Sequence, residues 1–304
     1  MPPVVECLKI APLKLGEGPH WKADSQCLYM VDAAGSIVMH EPKTGKTVIN
    51  ILGERCNFII PVKGKDNEFL VGSKKDVMHI EWDFVTNKIL KQDKLLTLDD
   101  DVPSTRINDA KCDAKGRLWF GTLSEKFMEG ATEGSFYSFS KKEGLVKHLS
   151  NIGLSNGLGF SPDNKNMYFI DSTSYKVDQY DLDITKGTIK FKKTVIDFKK
   201  ANLSGMPDGM TVDSTGKLWI ACILGSQVIQ VDPDTGKILQ RIKFDKSNSV
   251  TSLTFGGNFL NELFVTSANI PEMTINSPEA GCTFRVTDHG ATGLLANEFD
   301  FEFA

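Results

Sequence analysis

Two carboxylates and three carboxamides stand at matching places along this chain. Glu17, Asn57, Asn108, Asn156 and Asp208, with Thr251 as a sixth member, each lie 13 to 15 residues before a small or acidic residue closing a short apolar run: Asp32, Gly72, Gly121, Asp171, Ala221 and Thr266. Acidic and amide side chains offer oxygen donors and no soft ones. Brought to a common point, they suit one hard divalent cation; calcium takes more oxygens than magnesium or manganese, and water completes the shell. Calcium is the expected ion, and magnesium, manganese and zinc are compatible with the same donors. The five histidines (20, 40, 79, 148 and 289) share no register and are expected to pack or to sit at the surface. Taken singly, Asn156-Gly157, Pro207-Asp208-Gly209 and Glu17 between two glycines would serve equally well as turns. Their common register is what favours a site.

Arg106 precedes Asn108 by two residues, so on a strand the two share a face. A guanidinium does not ligate metals, but its fork suits hydroxyls, carbonyls or carboxylates of a small molecule. The competing reading is an ion pair with Asp109 or another nearby acid. Residues 123–134, rich in Gly, Glu and Lys, read as a loop over such a site.

The elements that would position these residues come from a repeat. A turn rich in Asp, Gly, Asn or Lys, then an aromatic or leucine, then a short apolar run recurs as KADSQCLYMVD, KGKDNEFLVGS, CDAKGRLWFGT, SPDNKNMYFID, VDSTGKLWIAC and GGNFLNELFVTS. The six closing residues are spaced by 40, 49, 50, 50 and 45. Short strands at a period of roughly 40–50 residues are the mark of propeller blades. Alternation of period two dominates, and no long stretch keeps a helical period. The reading is therefore all-β: one six-bladed β-propeller over residues 1–304, with one metal at the mouth of its central channel. The last blade, following GCTFRVTD and GLLANEFDF, is one strand short, and the N-terminal VVECLKI is expected to supply it and remove an open edge. Asp24, Asp113, Asp163 and Asp213 lie in the repeated turns and are read as turn residues, not site residues.

Bulk properties exclude other classes. The net charge is −4 with no basic cluster, which argues against nucleic acid. No apolar run approaches membrane-spanning length, and the N-terminus lacks the pattern of a signal peptide. A cytoplasmic location is expected, with the six scattered cysteines as buried free thiols. A small-molecule substrate is the one partner expected.

The motifs GEGPHW (16–21), RINDAKCDAKGRLWFGT (106–122), LSNGLGFSPD (154–163), MPDGMTVDSTGKLWIACILGSQVIQVDPDTGK (206–237) and PEAG (278–281) resemble the senescence-marker-protein/regucalcin/gluconolactonase family over essentially the whole chain. The opening MPPVVE with FIIP and NELFVTSA is most similar to its insect branch, that of luciferin-regenerating enzymes. This resemblance implies a propeller with one divalent metal held by Glu17, Asn156 and Asp208. It also implies substrate binding by Arg106 and Asn108, with Asp208 as general base. Where lactonase members carry a second acid after GTMAE, this chain has GTLSEKF, which puts Lys126 at that substrate-binding position beside Glu125. The activity implied is metal-dependent hydrolysis of a small cyclic ester or heterocycle, either an oxyluciferin-type benzothiazole or an aldonolactone. The alternatives are a non-catalytic calcium-binding regulatory protein and a protein-interaction propeller.

Overall fold

Each repeat turn joins two strands that are buried on both faces. Cys56–Pro61, Leu118–Ser124 and Ser155–Phe160 are buried at every residue. Such strands read as unbroken runs of apolar and small residues, because other protein covers both sides. The outer strands differ: Lys88–Thr97 (KILKQDKLLT) is mostly exposed, and its lysines mark it as a solvent edge. In the computed structural model, which describes residues 2–303, these strands form six antiparallel four-stranded sheets.

The innermost strands are Gly16–Lys22, Cys56–Pro61, Thr105–Cys112, Ser155–Phe160, Met206–Val212 and Val250–Gly256, one per blade in chain order. Each packs beside the next, and the sixth beside the first, so the ring closes around a central channel. Apart from two single-turn 3-10 segments, no helix occurs among the described residues, and so none is long and apolar enough to cross a membrane. The core is divided into six apolar clusters, one between each pair of neighbouring blades. Phe58, Ile60 and Leu70 of blade 2, for example, meet Ile107, Leu118 and Phe120 of blade 3. Trp21 and Leu28 of blade 1 meet Phe264 of blade 6, with the Trp21 and Phe264 rings stacked at 5.2 Å.

Closure follows the expected route. The last blade runs Val250–Gly256, Glu262–Ser267, Phe284–Thr287 and then Val4–Cys7, with Val5 opposite Val286 and Cys7 opposite Phe284. Two expectations need correction. Cys7 and Cys282 form a disulfide across this junction, with Cα atoms 5.9 Å apart, while Cys27, Cys56, Cys112 and Cys222 are buried free thiols. Their partnership arises because ring closure brings the two ends of the chain together, which spacing along the sequence does not show. Second, GLLANEFDF adds no strand to the last blade. It crosses the end of the channel remote from Glu17, where residues 294–297 help line a cavity of about 80 Å3, and Phe299 bridges Val62 of blade 2.

Asp113, Asp163 and Asp213 have structural duties in their turns, as expected. Asp113 Oδ1 accepts the Lys115 and Arg117 amides at 2.9 and 3.1 Å, and Asp213 Oδ1 accepts those of Thr215 and Lys217. Asp113 also holds Arg117, which is fully buried and forked onto Glu143 at 2.7 and 2.8 Å.

Candidate metal centre

All six inner strands carry a β-bulge at the same level. Ile107 opposes Thr122 and Ala110 opposes Phe120, so Asn108 and Asp109 together face one residue. The same irregularity takes in Asn57, Asn156, Asp208 and Thr251, while Glu17 is the last paired residue before the first blade's bulge. A bulge bends the strand and re-aims the side chain it carries. The register shared by the six residues along the sequence is therefore a ring of bulges at the channel mouth.

The glycines beside these residues are explained by the same geometry. A Cβ on Gly157 would come within 2.5 Å of Asp208 O and 2.7 Å of Met210 N, and a Cβ on Gly209 would strike Ser252. Asn-Gly and Asp-Gly here are not hairpin turns. They permit neighbouring inner strands to approach closely, which glycine alone allows.

Glu17 and Asp208 come within electrostatic reach of each other. Burial first, and then the Asp109 carboxylate, holds Asp208 well above the usual carboxylate range, while the Asn156 amide opposes the shift. Burial also raises Glu17, reinforced by Asp208 and Asp109 and opposed by the Gly18 amide and Arg106. Asn156 stands beside the pair in a fixed orientation. The Ser172 hydroxyl donates to Pro207 O at 2.6 Å, so it accepts from Asn156 Nδ2 at 3.0 Å. That leaves Asn156 Oδ1 buried with no donor.

Two like-charged carboxylates and one donorless amide oxygen fit a hard divalent cation. With no histidine or thiol among them, they favour hard cations over softer ones. No group of three or more His, Cys, Asp and Glu residues that could hold a metal occurs among the described residues; the third oxygen here is an amide. The other bulge residues divide. Asn57 Nδ2 donates to Asn108 Oδ1 at 3.3 Å, and Asn108 Nδ2 to Ser155 O at 2.7 Å, so these two form an amide chain along one side of the mouth. Thr251 faces the blade interface instead, giving its proton to Gly16 O at 2.5 Å.

Arg106 projects into a mouth pocket of about 510 Å3 that it shares with Glu125 and Arg55. It does not pair with Asp109; its nearest acid is Glu125, with Nε at 4.0 Å. Burial, followed by the like charge of Arg55, lowers the Arg106 guanidinium to about 10, against the opposing pull of Glu125 and Glu17. Lys126 is exposed at the start of the 123–134 loop and does not line this pocket, whereas Glu125 does. Asp109, His20 and Lys111, which the sequence did not single out for a site, line the channel below the bulges. Burial lowers Lys111, whose Nζ donates to Met210 O at 2.8 Å, and lowers His20 to about 3, with Lys111 and Lys22 adding to the effect. Ser172 was also missed: its role depends on a contact between blades, which leaves no local signal.

Residues 15–269 match the family described as "SMP-30/Gluconolactonase/LRE-like region". The chain belongs to that family. It is 33% identical over 294 residues to regucalcin of Danio rerio, covering 95% of this chain and 96% of the relative. It is 35% identical over 300 residues to regucalcin of Homo sapiens, again covering 95% and 96%. Among solved structures, a luciferin-regenerating enzyme superposes with a TM-score of 0.94 at 32% identity, covering 98% of this chain and all of that one. A calcium-binding regucalcin from Agrobacterium tumefaciens, at 24% identity and a TM-score of 0.85, shares the fold.

Proposed function

We propose that this protein is a divalent-metal-dependent hydrolase of a small cyclic ester or related heterocycle, with an oxyluciferin-type benzothiazole or an aldonolactone as the candidate substrates. The observation that carries this reading is the donorless Asn156 Oδ1 beside the Glu17 and Asp208 carboxylates, at the level where the inner strands of three blades bulge. Family membership and the luciferin-regenerating relative supply the reaction class.

Glu17, Asn156 and Asp208 would hold the ion. When bound, a divalent cation there supplies Lewis-acid polarisation of a carbonyl oxygen. Asp208, the carboxylate beside the ion, would take the proton from the attacking water. Arg106 and Asn108 hold the substrate at the mouth, Asn108 being pinned by Asn57 and by Ser155 O. Glu125 lines the pocket where the family's second acid is expected, and Lys126 lies outside the lining, so discrimination between hydroxylated and apolar lactones falls to Glu125.

The regucalcin relatives support a second reading, a calcium-binding regulatory protein without turnover. Lactone hydrolysis with and without chelator, across calcium, magnesium, manganese and zinc, separates the two. Chelator-sensitive turnover restored by one ion is expected. Tight calcium binding with no turnover of any lactone or luciferin-type compound would establish the second reading.

A further inference from the structure

The mouth pocket has more positive charge than its structure needs. Arg55, Arg106, Lys74 and Lys75 line it against Glu54 and Glu125. Two of the four cations have internal work. Lys74 pairs with Glu54 at 2.6 Å, and Lys75 donates to the carbonyls of Asp99 and Val102 at 2.7 and 2.6 Å, which ties down the loop before Thr105.

The two arginines do not. Arg55 is exposed and pairs with no acid among the described residues. Arg106 has only 14% of its side chain exposed, its Nη1 is buried with no acceptor, and the one acid within 4.0 Å of it among the described residues is an exposed Glu125. A buried guanidinium N–H without an acceptor is costly, and a second guanidinium beside it adds repulsion. An anion between the two removes both penalties, and the guanidinium fork is shaped for oxyanions.

We infer that the substrate of this site carries an oxyanion, which seats between Arg55 and Arg106 while the reacting carbonyl faces Glu17, Asn156 and Asp208. This rests on reading the mouth as a substrate site.

Carboxylate and phosphate oxygens are read alike by guanidinium, so the test uses matched probes on a lactone frame: phthalide-5-carboxylate, phthalide-5-phosphonate and the neutral phthalide-5-carboxamide. Binding to immobilised, calcium-loaded protein is measured by surface plasmon resonance near pH 7, with hydrolysis followed separately. The carboxylate is expected to bind at least about tenfold tighter than the carboxamide, with the advantage shrinking at high salt as for any surface-accessible charge pair. Arg55→Gln, an exposed substitution that leaves folding intact, should bring that ratio to about one to three without moving the carboxamide affinity. A phosphonate that outbinds the carboxylate assigns the oxyanion to a phosphoester. Equal affinity for charged and neutral probes, an unchanged ratio in Arg55→Gln, or binding of none of the three overturns the inference. Turnover of these lactones without charge preference would sink the inference and leave the hydrolase. Charge preference without turnover would do the reverse.

Discussion

Removing one carboxylate from the channel mouth is expected to make the metal-free protein more stable while destroying its response to metal. Asp208 is 3% exposed, and its charge is opposed by burial and by Asp109, while it in turn raises Glu17. Two unit charges a few ångströms apart at an effective dielectric of about 20 repel by a few kcal/mol. Protonation of one member caps that cost, so Asp208→Asn relieves about 2 kcal/mol in the metal-free state near neutral pH. A domain of this size gains about 2 °C per kcal/mol, so the melting temperature in chelator should rise by about 4 °C. In wild type, a cation at a hundredfold excess over its Kd adds about 2.7 kcal/mol; the variant, short of a charged ligand, should gain almost none. Scanning calorimetry of both proteins, in chelator and in millimolar calcium, reads all four values. A chelated variant that melts below chelated wild type, or a wild type indifferent to every divalent ion, would refute the electrostatic reasoning.

The same pair sets a pH dependence. Glu17 and Asp208 have folded pKa values raised above their unfolded ones, so the native state binds more protons and metal-free stability falls as pH rises through those values. The stabilisation conferred by calcium should therefore grow from pH 5 to pH 8, as paired thermal scans would show. Thiol titration of the denatured, unreduced protein should count four free cysteines and reduction should bring the count to six, since Cys7 and Cys282 are paired. Arg117→Ala strands Asp113 in the core and should cost about 3–5 kcal/mol in denaturant unfolding, with the metal response intact. Gly157→Ala pushes a methyl against the backbone of Asp208 and Met210, so it should weaken calcium binding measurably even where the fold survives.

The propeller was legible because a blade is a local object. Its turn aspartates, its paired apolar runs and its polar outer strand all lie within one 40–50-residue repeat, and six copies leave little of the chain unassigned. The register of Glu17, Asn156 and Asp208 was legible for the same reason: each sits at a bulge at one height in its blade, so a one-dimensional count finds what the channel gathers. That count also caught Thr251, whose hydroxyl is spent on Gly16 O, because spacing sets height along the strand and not the direction of the side chain. Asn-Gly and Pro-Asp-Gly pointed to turns, since the same glycine serves a tight turn or a close neighbour and only packing tells which.

Everything that depends on contact between distant blades stayed hidden until the chain was folded. Cys7 meets Cys282 only through ring closure, and Ser172 fixes the Asn156 amide only because Pro207 of the next blade accepts its proton. Arg55 joins Arg106 across two blades, and the C-terminal GLLANEFDF becomes the channel floor instead of a strand. Patterning within a repeat depends on neighbours a few residues apart, so the sequence determined the blades and the level of the site. The partners that orient, charge and close that site are dozens to hundreds of residues away, and only the tertiary structure decided them.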